Sequence, residues 1–267
     1  MTPGHPSRRW AAKMVGSIAL SPLAFLSACA SKADRGPTLS PGTLRIGTYF
    51  VNPPFEYVSD GQRIGFEVDL MNEIARRLSL STVFVDTQWE TILQEMQAGK
   101  YDCIVGGITI TPQRRQLLAW STPYMTTTLS LVVNERRAAR LQSLADFKHA
   151  SVGVQAATTD EDIAKVMLAR GEIGSIKVYP FARIADAMVD LAAGRIDAVM
   201  KVYPVAAWLA RQTPGLHIAA QVPDDPQPLG IGVSRNNPTL LAAIDKALAE
   251  MQTDGAYVRL ARKWGVP

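Results

Sequence analysis

The sequence predicts an α/β protein built as two lobes of similar architecture. Two observations carry this. From Thr43 onward, short apolar runs alternate with helix-period patterns, as βα units and mostly parallel sheets require. The turn Ala98-Gly99-Lys100-Tyr101-Asp102, leading into apolar Cys103-Ile104-Val105, also has a near copy in Ala193-Gly194-Arg195-Ile196-Asp197, leading into Ala198-Val199-Met200. In both places a helix ends at a glycine suited to a C-cap, the chain turns through an Asp and a buried strand begins. A chain of 267 residues, 47% hydrophobic and 19% charged, is long enough to give each lobe a core.

In order, Leu44-Arg45-Ile46-Gly47-Thr48 reads as the first strand, and Pro53-Pro54 interrupts the chain after it. Val68, Leu70, Met71, Ile74, Ala75 and Leu78 then recur at helical spacing, with Glu67, Asp69, Glu73, Arg76 and Arg77 largely opposite. Thr82-Val83-Phe84-Val85 is the second strand, Trp89 to Gln97 a helix, and Asp102 to Gly106 the third strand. Past that strand, Thr111 and Pro112 read as N-cap and first residue of a short helix. Thr158-Thr159 ahead of Asp160-Glu161-Asp162 marks another helix start, its acids favourable with the helix dipole and Thr159 its cap. Residues just past the repeated strand lie at its carboxyl end, where open α/β sheets bind ligands.

The first 28 residues are an address. Arg8, Arg9 and Lys13 precede an uncharged run from Met14 to Ala28 that ends in small residues before Cys29. That is a secretory signal, too short and wrongly flanked for a transmembrane helix. Leu26-Ser27-Ala28-Cys29 resembles the lipobox of bacterial lipoproteins, which implies cleavage before Cys29, its diacylation and a lipid anchor in the cell envelope. Residues 29–42, with Ser, Gly, Pro and no periodicity, read as a flexible tether. Removing the three leader cations takes the formal charge from +4 to about +1, which gives no reason to invoke nucleic acid. Cys103, in an apolar run, reads as a buried free thiol. Two cysteines and three scattered histidines make no zinc framework.

Residues 43–267 resemble bacterial extracellular solute-binding proteins of family 3, the polar amino-acid type that serves ABC importers. The likeness runs through Pro53-Pro54-Phe55-Glu56-Tyr57, Gly65-Phe66-Glu67-Val68-Asp69-Leu70, Gly99-Lys100-Tyr101-Asp102 and Ile108-Thr109-Ile110-Thr111-Pro112-Gln113-Arg114. It continues through Phe147 to Thr159 and Gly194-Arg195-Ile196-Asp197-Ala198-Val199. The resemblance implies a type II periplasmic-binding-protein fold: each lobe a mixed, mostly parallel sheet flanked by helices, with a hinged cleft between. It places residues 43–126 plus 236–267 in one lobe and 127–235 in the other. It also implies a monomer that works with a membrane permease and needs no cofactor.

By the same resemblance Arg114 grips the ligand carboxylate, Gly107 and Thr109 give flanking contacts, and Thr159, beside Thr158, donates from across the cleft. A guanidinium fork suits that role, since two parallel charge-assisted hydrogen bonds fix orientation as well as adding affinity. The pattern departs from the family at the amine end. Where most relatives carry an aspartate for the ligand α-ammonium, the segment reads Met200-Lys201-Val202-Tyr203-Pro204, with Val202 at the matching position. A second acidic position is Tyr49, and a stacking aromatic is replaced by Asn52, leaving Trp89 and Phe55 as candidate walls. A buried ammonium without its carboxylate costs about 3–5 kcal/mol. The expected solute is therefore an amino acid or amino-acid-like carboxylate, one that lacks the amine or has a second anionic group for Lys201. The competing expectation turns Lys201 to solvent and lets Glu56 or Asp160 take the ammonium. Two other functions fit the same fold: a periplasmic cyclohexadienyl dehydratase of prephenate or arogenate type, and a solute-sensing lipoprotein. The first needs a glutamate-type acid shortly after the second-lobe strand, and Val202-Tyr203-Pro204-Val205-Ala206 has none.

Overall fold

A computed structural model describes residue 1 and residues 37–136 and 140–267. The expected signal segment, Cys29 and most of the tether lie outside the described residues. From Thr43 the chain runs β1 (Thr43–Thr48), a meander of β2 (Val51–Asn52), β3 (Glu56–Ser59) and β4 (Gln62–Ile64), then α1 (Phe66–Arg77) and β5 (Ser81–Asp86). It continues through α2 (Ile92–Gln97), β6 (Cys103–Ile104), α3 (Pro112–Leu117) and β7 (Ala119–Trp120). The next stretch is β8 (Met125–Asn134), β9 (Ser151–Gln155), α4 (Thr159–Ala169), β10 (Ser175–Tyr179), α5 (Ile184–Ala193), β11 (Ala198–Val202), α6 (Tyr203–Gln212) and β12 (Leu216–Leu229). The chain ends with β13 (Gly232–Val233), α7 (Pro238–Thr253) and α8 (Ala256–Trp264).

Two five-stranded sheets organise the two lobes, in the orders β5-β1-β6-β13-β7 and β10-β9-β11-β8-β12. In the first, β1 pairs in parallel with β5 and β6, while β13 runs antiparallel to β6 and β7. In the second, β9 pairs in parallel with β10 and β11, while β8 runs antiparallel to β11 and β12. Each sheet is thus a parallel βα core extended by antiparallel strands. The return strand Gly232–Val233 lies between β6 and β7, ahead of the 236 boundary expected from the sequence; Gly232 packs so closely there that a Cβ would come within 2.8 Å of Ile104 Cγ1. The chain crosses between the sheets at residues 121–124 and 230–231. These crossovers lie side by side, with Ser121 N donating to Ile231 O (3.0 Å), Ile231 N to Ser121 Oγ (3.0 Å) and Tyr124 N to Leu229 O (3.1 Å).

The repeated turn has the same construction in both sheets. Asp102 Oδ2 accepts from Arg45 N (2.7 Å), at the start of β1, and Asp102 N donates to Arg45 O (2.8 Å). Asp197 Oδ2 accepts from Ser151 N and Oγ (both 2.8 Å), at the start of β9, and Asp197 N donates to Ser151 O (3.0 Å). Each Asp therefore fastens the central strand of its sheet to the neighbour that enters beside it. Gly194 closes α5 in the left-handed conformation at φ 72°, which a side chain would strain.

Several local readings shift. The helix expected from Trp89 starts at Ile92, because Thr91 N and Ile92 N turn back onto Gln88 O and leave Trp89 in a turn. Residues 37–42 are held rather than loose: Leu39 N donates to Asp102 Oδ1 (2.5 Å) and Asn237 Nδ2 to Pro37 O (2.6 Å). Cys103 is free and fully buried, and desolvation pushes its thiol well above the ordinary range.

Removing the Asp197 carboxylate leaves the Ser151 amide without its charged acceptor. Asp197→Ala should lower unfolding stability by about 2 kcal/mol, read from the urea midpoint, with Asp102→Ala matching it in direction.

Candidate functional site: the cleft between the sheets

The carboxyl ends of the parallel strands face one cavity. After β1 come Tyr49 and Asn52; after β6, Gly106, Gly107 and Thr109; after β9, Thr158, Thr159 and Asp160; and from β11 itself, Lys201 and Val202. Trp89, Arg114, Gln155 and Phe181 complete its wall. The enclosed cavity among them is only about 30 Å³, far below the size of ligand pockets, so the two walls stand close together. Phe55 and Tyr203, expected there, are not part of the wall. Phe55 is fully buried beneath Gly107, whose φ of +60° lets the backbone pass where a Cβ would come within 2.9 Å of the Phe55 ring. Tyr203 instead opens α6.

Arg114 is placed by the start of α3. Thr111 caps that helix by accepting from Arg114 N (3.2 Å), and Pro112 follows, as the sequence predicted. The guanidinium lies 4.9 Å from the Trp89 ring centroid and donates from Nη1 to Thr109 O (2.9 Å). Burial lowers its pKa, and Asp160 and Asp162 act on it only as distant charges. Among the described residues no carboxylate forms an ion pair with it. The arrangement is a partly desolvated cation with unspent N–H groups facing a cavity, which is a receptor for an anion.

The opposite wall corrects the reading of Lys201. Its side chain does not reach solvent, and two of its three N–H groups are taken by this chain. Lys201 is 5% exposed, and Nζ donates to Asp160 Oδ2 (2.5 Å) and Gln155 Oε1 (2.6 Å). This is the one ion pair among the described residues with both side chains buried, at 6% and 2% exposure. Asp160 thus holds a cation of this chain. Thr158, not Thr159, occupies the cap position of α4, and its hydroxyl donates back to Gln155 O (2.7 Å) instead of capping. Thr159 is left facing Thr109, with the hydroxyls 3.5 Å apart across the cleft.

The roof is aromatic. Trp89 stacks on Phe181 with centroids 5.3 Å apart and an interplanar angle of 19°, and Trp89 Nε1 donates to Ala157 O (3.1 Å). Tyr49 meets both rings edge-on and donates its hydroxyl to Gly106 O. Gln155, Gly106 and Phe181 were not singled out from the sequence. Gln155 could have been, as a polar residue ending the apolar strand Val152-Gly153-Val154. Phe181 carries no local signal beyond following Pro180.

Behind the first wall lies a pair of acids. Glu67, on the polar side of the α1 pattern, is instead fully buried: Oε2 accepts from Gly107 N (2.9 Å) and Oε1 from the Tyr124 hydroxyl. The Gly107 amide, expected to meet the ligand, is therefore turned away from the cavity. Glu56 is also fully buried, faces Glu67 and Asn52, and has no donor bonded to either oxygen. Desolvation first, and the Glu67 charge second, raise its pKa well above the usual carboxylate range. It takes no part in the cavity wall, so it is not the ammonium acceptor weighed from the sequence.

A paired-lobe α/β frame with a cationic, aromatic-roofed cleft between its sheets defines a type II solute-binding protein. The chain belongs to the bacterial extracellular solute-binding proteins, family 3, which residues 44–267 match. It is 30% identical over 257 residues to the lysine/arginine/ornithine-binding periplasmic protein of Escherichia coli K12, covering 92% of this chain and 95% of that one. Among solved structures it is similar to an ancestral arginine-binding protein bound to arginine (TM-score 0.75, 34% identity, 84% of this chain and 98% of that one). It is also similar to an ancestral amino acid-binding protein described as a precursor of cyclohexadienyl dehydratase (TM-score 0.74, 34% identity, 84% and 95%).

Because the Glu56 pKa is raised in the folded protein, its proton contributes stability that is complete below the unfolded value near 4.5 and is lost as pH climbs toward the folded value. Glu56→Gln keeps the neutral form at every pH. Urea midpoints across this range should show the variant gaining on the wild type as pH rises, by up to about 1.4 kcal/mol per pH unit, with no gain in the acidic range.

Proposed function

We propose that this protein captures a small carboxylate-bearing solute, an amino acid or a close analogue, by closing its two lobes, and presents it to an ABC permease. Arg114 is the observation that carries the reading: a desolvated guanidinium that lines the cleft and, among the described residues, pairs with no carboxylate. The ligand carboxylate supplies the missing charge, with Thr159 donating to it from the other lobe; the Thr109 hydroxyl, placed beside it, donates to Gln227 Oε1 (3.0 Å). The paired crossovers at 121–124 and 230–231 form the hinge. Closure stacks Phe181 on Trp89 and joins Trp89 Nε1 to Ala157 O, so ligand and lobe contacts favour the closed state together. Lipid attachment at Cys29 would keep the protein at the envelope beside its permease.

The dehydratase and sensing readings have less support. The relatives named above are binding proteins, and the carboxylate in the cavity wall, Asp160, is engaged by Lys201 and so is poorly placed as a general acid. A prephenate solution should keep its absorbance when the protein is added. A thermal-stability screen of small carboxylates tests the main reading. A closing ligand at 100 times its Kd should add about 2.7 kcal/mol, and Arg114→Ala should remove that shift while leaving the unliganded melting curve close to wild type. A shift that survives in Arg114→Ala places the carboxylate elsewhere.

A further inference from the structure

The Lys201–Asp160 pair bears on which carboxylate the site takes, an inference that rests on the binding role proposed above. Among the described residues, three charged side chains line the cavity: Arg114, Lys201 and Asp160. The wall itself therefore sums to one positive charge, with Asp162 acting on Arg114 from outside it; a monoanion balances the wall, whereas a zwitterion leaves that charge uncompensated. The hydrogen-bonding inventory agrees. Gly106 O holds the Tyr49 hydroxyl, Thr109 O holds Arg114, and Gln155 Oε1 and Asp160 Oδ2 hold Lys201. Each of these oxygens already accepts a hydrogen bond from a donor of this chain, although these bonds leave their second lone pairs and Asp160 Oδ1 untaken.

Donors, by contrast, are in surplus. Arg114 donates once to the protein from its five N–H groups, and Lys201 donates twice from its three. A ligand ammonium would bring three further donors to a wall already rich in them, and would have to share one carboxylate with a lysine ammonium. An oxygen in place of the amine, as keto or hydroxyl, would accept the remaining Lys201 N–H.

We propose that Lys201 is a built-in ammonium that neutralises Asp160, the carboxylate of the cleft wall, so that the site selects small 2-oxo or 2-hydroxy monocarboxylates over the corresponding amino acids. Titration calorimetry on the full chain tests this with sets matched in carbon skeleton: pyruvate, lactate and alanine; then the 2-oxo, 2-hydroxy and 2-amino acids of the leucine skeleton; then those of the phenylalanine skeleton. The expected result is at least tenfold tighter binding of the oxo or hydroxy acid than of the amino acid in the set that binds best. Lys201→Met, which frees Asp160, should reverse that order. Lys201→Met/Asp160→Asn, which also removes the acceptor charge, should not recover amino-acid binding, and it avoids a lone buried carboxylate if the single variant folds poorly. Wild-type preference for the amino acid overturns the inference, as does failure of every matched acid to bind at millimolar concentration. If Arg114→Ala then still abolishes binding of whichever solute is captured, the carboxylate-capture reading stands without it; if Arg114→Ala binds as well as wild type, that reading falls instead.

Discussion

A guanidinium held partly out of water without an anion of its own is unfavourable unless something else repays it. The fold around Arg114 is arranged to tolerate that situation. The α3 cap fixes the backbone of Arg114, Thr109 O takes one N–H, and the face of Trp89 lies beneath the charge. None of these contacts neutralises it. The cleft is therefore left electrostatically incomplete, and an incoming carboxylate can complete it only by standing between the two sheets. In the binding role proposed above, that missing charge would couple capture to closure.

The opposite wall follows the reverse logic. Lys201 and Asp160 complete each other, and Gln155 joins them, so this side offers a finished ion pair instead of an open acceptor. Such pairs add little stability compared with apolar packing, because their attraction is spent offsetting desolvation. Under the proposal above, their value would be discrimination between the charges a ligand brings into the cavity. Glu56 and Glu67, stacked behind Gly107, show the same division within the first lobe. Glu67 is consumed in holding the Gly107 amide, and Glu56 is driven toward its neutral form.

The two lobes share one construction, visible in how Asp102 and Asp197 each fasten a strand start to the central strand beside it. Building both sheets this way puts the carboxyl ends of β1, β6, β9 and β11 toward a common space, so binding residues come from strand ends and the turns after them. Rigid strands set the positions, and two short crossovers, residues 121–124 and 230–231, connect the sheets.

The sequence by itself determined what depends on near neighbours. The Thr111-Pro112 helix start, the glycine that ends α5, the Asp turns and the buried free thiol of Cys103 were legible because each signal acts within a few residues. The resemblance in series added the two-lobed frame and pointed to Arg114. Only the tertiary structure decided who meets whom across long separations. Lys201 and Asp160 stand 41 positions apart, and Trp89 reaches a carbonyl 68 positions away. Whether Lys201 met solvent, ligand or Asp160 turned on the folded path of β9, α4 and β11, because charge pairing and ring stacking depend on distance in space and leave no periodic trace along the chain.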